Sequence, residues 1–214
     1  MVWVIIFFLS IFFLLHSYLF YPAITSLLAK NKKQNEETYA KGGAGGLPPV
    51  SVLLAAYNEE VVIARKIEST LDTTYPTDKI EFIIGSDAST DQTDGIIRAY
   101  QEKYPQLKLE VFPGRTGKAG IINQLKKKAS NEILILTDAN VLFERDTIFQ
   151  LVKHFKNKDI GIVGGNIINS HYNDAGISVQ EETYISRENR IKYREGVIWG
   201  AMAGAFGGCY AIRK

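Results

Sequence analysis

The sequence predicts an α/β fold: a mostly parallel sheet with helices on both faces, preceded by one membrane-spanning helix. Three observations carry this. From Val50 onward, short apolar runs alternate with segments of helical periodicity, as connected β-α units require. The runs are apolar throughout, the mark of strands covered on both faces. Residues 2–29 contain no charged side chain, a length sufficient to cross a bilayer.

The elements follow in order. Residues 1–29 are expected to be a retained anchor. Residues 2–20 are broken only by Ser10, His16 and Ser17, and a signal peptide would want a basic start, a shorter apolar core and a small-residue cleavage site. Trp3, Tyr18 and Tyr21 suit the interfacial belt, and Lys30, Lys32 and Lys33 follow the span. The positive-inside rule then predicts a single-pass protein of the cell membrane with the remainder cytoplasmic. Residues 30–49 read as a flexible linker, polar, then Gly42-Gly43-Ala44-Gly45-Gly46, then Pro48-Pro49. These glycines precede the first strand, so they do not form a dinucleotide loop.

Residues 50–214 are expected to be one domain. Strand Val50–Ala56 leads to a helix over 59–71, with Ile63, Ile67 and Leu71 on one face. A strand over 80–86 leads to a helix over 91–103, striped by Ile96, Ile97, Tyr100 and Tyr104. Strand Leu107–Phe112 leads to a helix over 118–129. A strand over 132–137 leads to a helix over 145–156, where Ile148, Leu151, Val152 and Phe155 keep helical spacing. A strand over 160–168 follows, then a polar helix over 179–195 carrying Arg187, Arg190, Lys192 and Arg194. That helix is either a solvated amphipathic face or a basic surface for lipid or a phosphorylated ligand. Glu181, Glu182 and Glu195 on it are expected to face solvent. The glycine-dense residues 196–208 make either a plain turn or a close backbone approach to a ligand.

Composition narrows the function. A net charge of +2, from 25 basic and 23 acidic residues, argues against a nucleic-acid binder. A single cysteine, Cys209, excludes an intrachain disulfide and a Cys-based zinc cluster, and reads as a small packed residue. His16, His154 and His171 are scattered, and no Ser-His-Asp set is visible.

Three strands end in polar residues at one edge, where open α/β sheets bind ligands: Tyr57-Asn58-Glu59, Asp87 and Asp138. Asp87 lies in Ser86-Asp87-Ala88-Ser89-Thr90-Asp91. There Ser89 or Thr90 can cap the next helix and Asp91 can complement its dipole. Asp87 itself is either part of that turn or an acceptor for the ring N–H of a nucleobase. Thr137-Asp138-Ala139-Asn140 is either an Asx turn or an oxygen pair for Mg²⁺ or Mn²⁺ shared with substrate phosphates. Gly114-Arg115-Thr116-Gly117-Lys118-Ala119 opens a helix without P-loop spacing. It is a solvated basic turn or a site for a diphosphate.

Taken together these residues resemble the family 2 glycosyltransferases of the GT-A (Rossmann-like) fold. The order that carries the resemblance is Ala56-Tyr57-Asn58-Glu59, Ser86-Asp87-Ala88-Ser89-Thr90-Asp91, Gly117-Lys118-Ala119 and Thr137-Asp138-Ala139-Asn140, closed by Gly204-Ala205-Phe206-Gly207-Gly208-Cys209-Tyr210. With the anchor, it is similar to the cellulose, hyaluronan and poly-N-acetylglucosamine synthase branch. The resemblance implies a nucleotide-diphosphate sugar donor, a UDP-sugar, and a sugar or lipid-linked acceptor in polysaccharide or glycoconjugate synthesis. It also implies transfer with inversion. Ala56, Tyr57 and Glu59 would border the nucleoside, Asp87 would bind the base, Lys118 would approach the diphosphate, and Asp138 would hold the divalent cation. The second acid of the family's D-x-D motif is Asn140 here, a neutral ligand. The family's catalytic base and its Gln-x-x-Arg-Trp motif are expected beyond Lys214. Residues 1–214 are therefore expected to bind donor and to transfer sugar poorly; the alternative is a binding fragment that transfers nothing.

Overall fold

The computed structural model describes residues 1–32, 37–41, 46–168, 177–205 and 207–214, with the side chains of 177–184 left aside. Lys33, residues 42–45, His171, Phe206 and the side chains of Glu181 and Glu182, all named above, lie outside the described residues. The chain forms two compact units, Met1–Glu36 with Ile168–Gly204, and Glu37–Ile167 with Ala205–Lys214.

In the first unit, α1 (Val2–Leu15), a π-type turn over His16–Phe20 and α2 (Tyr21–Ala29) run on as one helix. It is long and apolar enough to cross a membrane.

The second unit is built on a sheet. Among the described residues it has six strands: β1 (Val50–Ala56), β2 (Ile80–Asp87), β3 (Leu107–Phe112), β4 (Ile133–Thr137), β5 (Ile162–Gly164) and β6 (Cys209–Arg213), in the order β3-β2-β1-β4-β6-β5. The first four are parallel, and β6 runs antiparallel between β4 and β5. The connecting helices are α3 (Ile63–Leu71), α4 (Thr93–Lys103), α5 (Gly117–Lys128) and α6 (Thr147–Val152).

Alternate residues of each strand feed opposite faces. Val52 and Leu54 of β1, Phe82 and Ile84 of β2, and Ile135 of β4 pack on Ile63, Ile67, Ile97, Ile148 and Val152 of α3, α4 and α6. Leu53, Ile83, Leu134 and Leu136 meet Ile121 and Leu125 of α5 on the other face. Each such burial contributes about 1.5–3 kcal/mol. Gly85 is what lets α5 sit so close, since a Cβ there would lie 2.4 Å from Ile121 Cγ2.

The predicted elements are present, with differences that have local causes. α3 starts at Ile63 and not at 59, because Asn58 turns the chain in the left-handed region (φ 53°) and the next residues form a bend. The fifth strand shrinks to Ile162–Gly164, and β6, which the sequence did not announce, takes the place beside β4. Residues 39 and 47–48 are tied to the sheet unit: Tyr39 N–H donates to Lys153 O at 2.8 Å, Lys79 Nζ to Leu47 O at 2.6 Å, and the Tyr75 hydroxyl to Pro48 O at 2.5 Å.

α7 (Ile177–Trp199) belongs to the first unit, and its described side chains pack on α2. The Tyr21 hydroxyl donates to Glu195 Oε1 at 2.5 Å, and the Ala203 N–H donates to its Oε2 at 2.9 Å. Glu195, expected to face solvent, is therefore buried. Arg194 donates to Pro22 O at 3.1 Å, and Arg187 donates to Tyr18 O while lying over the Tyr18 ring. Two of the basic side chains of this helix thus serve backbone carbonyls.

Candidate functional site

Parallel register aligns the ends of β1 and β2, with Ala56 opposite Ser86, and β4 ends beside them. The loops after β1 and β2 are laced together. Asn58 Oδ1 accepts from Thr90 N–H at 2.8 Å, and Asn58 N–H donates to Ser89 Oγ at 3.2 Å. Glu59 N–H donates to Thr93 Oγ1 at 2.8 Å. Asp91 accepts from both Glu60 N–H (3.1 Å) and Thr93 N–H (3.0 Å). Ser89 and Thr90, expected as helix caps, instead brace the β1 loop, and α4 begins later, at Thr93.

Asp87 is 3% exposed at the end of β2. Its Oδ1 accepts from Thr116 N–H at 2.7 Å and from the Thr116 hydroxyl at 3.3 Å. Its Oδ2 accepts from Gly117 N–H at 2.9 Å and from Arg115 Nε at 3.2 Å. Four donors match the roughly four acceptor positions of a carboxylate. The Thr116 N–H, against the opposing effect of burial and with help from Gly117 N–H and the Arg115 charge, holds its carboxyl below the usual range. Asp87 thus anchors the amino terminus of α5, where a negative charge is favoured. The Arg115 guanidinium lies 3.3 Å from the Tyr57 ring centroid, linking the β1 loop to the same knot. Tyr57 is exposed, whereas Ala56 is buried in the core and shapes the site from beneath.

Lys118, in the first turn of α5, forms an ion pair with Asp138 after β4 and reaches Gly207 O at 3.4 Å. Asp138 N–H donates to Gly208 O at 3.1 Å, so the residue that leads into β6 helps to set this carboxylate. Val141 N–H donates to Asp138 O at 3.3 Å and closes the turn, leaving Asn140 exposed and Ala139 buried. Glu59 is half-buried, and burial first, then the charges of Asp138 and Asp91, push its carboxyl up. Tyr57, Glu59, Asp87, Lys118, Asp138 and Asn140 are therefore gathered at one edge.

Sequence reasoning missed Thr116, Gly117 and Arg115 as partners of Asp87, and Lys66 beneath Asp138. Lys66 had a visible signal: a charge at the i, i+3, i+4 stripe of α3, with Ile63 and Ile67. The others had none, because their contacts join residues nearly thirty apart.

Asp138 and Asn140 offer one charged and one neutral oxygen. Among the described residues no group of three or more His, Cys, Asp or Glu could hold a metal unaided. A Mg²⁺-type ion takes one or two carboxylates and completes its shell with substrate phosphates and water. The sparse oxygen set fits an ion of that kind.

Comparison with known proteins agrees with this geometry. Glycosyl transferase family 2 matches residues 51–214. A beta-monoglucosyldiacylglycerol synthase from Nostoc sp. is 34% identical over 127 residues, 58% of this chain and 27% of that protein. A poly-beta-1,6-N-acetyl-D-glucosamine synthase from Staphylococcus epidermidis is 32% identical over 159 residues, 69% of this chain and 38% of that protein. The chain thus spans well under half the length of these relatives. Among solved structures, a mannosyltransferase from Pyrobaculum calidifontis in complex with GDP-Man and Mn²⁺ matches with a TM-score of 0.73 and 27% identity, over 92% of this chain and 53% of that one. Staphylococcus aureus TarS, at 24% identity, TM-score 0.51 and coverage of 60% and 38%, shares the fold. The strand-end residues, the GT-A sheet and a family match over most of the sequence lead to one conclusion: the chain belongs to glycosyl transferase family 2.

Proposed function

We propose that this chain is the donor-binding GT-A domain of a membrane-anchored glycosyltransferase, which takes a nucleotide-diphosphate sugar, a UDP-sugar, and transfers the sugar with inversion to a hydroxyl of a sugar or lipid-linked acceptor. The observation that carries this is the Lys118–Asp138 pair at the carboxyl edge of the sheet, beside an α5 amino terminus held by Asp87. Without ligand the two charges satisfy one another. With donor bound, Lys118 and the α5 N–H groups face the diphosphate, and Asp138 with Asn140 would hold the divalent cation. That cation would neutralise charge developing on the diphosphate leaving group. Tyr57, with Arg115 on its ring, and Glu59 border the nucleoside, and Ala56 supports them from beneath. Asp87 keeps the loop rigid and would accept from the base only by giving up one of its four donors.

In the reaction the acceptor oxygen bonds to the anomeric carbon as the bond from that carbon to the diphosphate oxygen breaks. The general base that receives the hydroxyl proton is proposed to lie outside the residues named here. The GDP-Man bound to the Pyrobaculum relative makes the nucleotide an experimental question.

Calorimetry with UDP, UDP-GlcNAc and GDP-mannose, each with Mn²⁺ and with EDTA, tests the reading. A nucleotide should bind with cation dependence in the native chain and lose that dependence in Asp138→Ala. Binding of no nucleotide, or the same affinity in Asp138→Ala and Lys118→Met, overturns it. Radiolabelled transfer to an acceptor panel, beside nucleotide release, separates an enzyme from a domain that only binds donor.

A further inference from the structure

Beneath the donor site lies a cation that the proposed function does not use. Lys66 sits on the buried stripe of α3 and is 0% exposed. Its Nζ donates to Thr137 Oγ1 at 2.9 Å and to Val141 O at 2.5 Å, and lies 3.6 Å from the Phe143 ring centroid. Thr137 precedes Asp138 in the chain, and Val141 and Phe143 follow Asn140. The ammonium therefore spans the turn that carries both oxygen ligands.

A charge in this position is expensive. Removing an ammonium from water costs several kcal/mol unless its donors and its charge are answered. Here its described partners are a hydroxyl, a carbonyl and an aromatic face. The charge that acts on it is that of Asp138, across the turn. Packing alone would be met by methionine, which has a similar length and no charge. The contacts explain what the ammonium adds: the turn's own closing bond, Val141 N–H to Asp138 O, is long at 3.3 Å, and Lys66 ties both ends of the turn to α3.

We propose that Lys66 is a positioning residue of the donor site. Its ammonium clamps the Thr137–Val141 turn from below, so that Asp138 and Asn140 present their oxygens to one point. The link to the donor site rests on the proposed function, and the clamp does not.

The test uses the full chain in detergent micelles and the variant Lys66→Met. Amide hydrogen exchange over residues 139–143 should quicken while β1 and β2 keep native protection. In Mn²⁺, UDP affinity should fall about 10–100-fold, the range for losing an outer partner of a metal ligand, with a smaller loss in EDTA. If Lys66→Met does not fold, Thr137→Val removes one contact and keeps the charge, and should move both readouts the same way by less. Native exchange at 139–143 in a folded Lys66→Met, or in Thr137→Val where that is the variant that folds, overturns the clamp. Faster exchange with unchanged Mn²⁺-dependent affinity overturns the link to the donor site. If the native chain binds no nucleotide, faster exchange still supports the clamp, and the donor-site reading is the one that falls.

Discussion

Burial, opposed by Cys209 and Asp138, pushes the Lys66 ammonium down from 10.5 to about 7. The folded state thus gives up a proton that the unfolded chain keeps over the interval from about 7 to 10.5. Stability rises with pH wherever the unfolded state binds more protons. Burial also pushes the Cys209 thiol up from 9.0 to about 11, a loss that offsets the Lys66 gain from pH 9 to 10.5 and reverses it only above that. Between pH 7 and 9 the midpoint of thermal unfolding should therefore climb, by about 2 kcal/mol in stability, and Lys66→Met should flatten that rise. Lys118 makes a contrasting case. Its pair with Asp138 is half exposed, and such pairs contribute about 0–1 kcal/mol. Lys118→Met should leave the thermal midpoint nearly unchanged while calorimetry shows roughly tenfold weaker nucleotide binding, the scale of one charge-assisted hydrogen bond. At this scale the sequence was legible where a residue's position in the alternation places it: Asp87 closes a strand, and Glu59 and Asp138 follow one. It was silent on what those groups touch, because Arg115 and Thr116 meet Asp87 only after β3 has been laid beside β2.

The parallel strands and their helices were readable because each is a local pattern: a run apolar on both faces, then a stripe at helical spacing. β6 was not. It has five residues after a glycine-rich stretch, and it is a strand because the edge of β4 lies open to it. Two substitutions probe the elements. At Gly85 any Cβ meets Ile121 of α5 at 2.4 Å, so Gly85→Ala must lift α5. Overpacking of this kind costs about 1–3 kcal/mol, and since Lys118 opens α5, denaturant titration and nucleotide binding should both register the loss. At the opposite edge, Glu81 fastens the starts of the strands through Ser51 Oγ (2.5 Å), Ser130 N–H (2.9 Å) and Lys108 Nζ (2.7 Å). Burial alone would raise its carboxyl, but Lys108, Ser51 and Ser130 hold it down to about 2. Its stabilising effect is complete above the unfolded value of 4.5 and fades as pH falls toward 2. Lys108 is half exposed, so the worth of the knot is about 1–2 kcal/mol after solvent screening. Glu81→Gln should lower the thermal midpoint at pH 6 and shrink the difference from the native chain at pH 3.

The two units of the whole molecule expose different surfaces, since among the described residues only the first carries an exposed apolar helix, Val2–Ala29. The helix Val2–Ala29 contains no charge and is long enough for a bilayer, and the proposed anchoring predicts that carbonate washing leaves the chain in the membrane fraction. The same unit holds α7, whose buried Glu195 takes a hydrogen bond from Tyr21. Deleting residues 1–33 should therefore speed proteolysis within 177–199 and leave the sheet unit protected; equal cleavage rates would contradict the packing of α7 on α2. The sequence showed the long apolar helix plainly but did not connect α7 to it, since a run of arginines reads as solvated until its carbonyl partners are in view. The sheet order also sets a timetable for synthesis. β3, β2, β1 and β4 can assemble once residue 137 has left the ribosome, but β6, the neighbour of β4, is translated about seventy residues later. At about 5–20 residues per second, the edge of β4 waits several seconds with its N–H and C=O groups unpaired, and β5, made earlier, has no partner until β6 arrives. The nascent chain is thus most open to aggregation in that interval, and a holding chaperone would have its target on the open edge of β4.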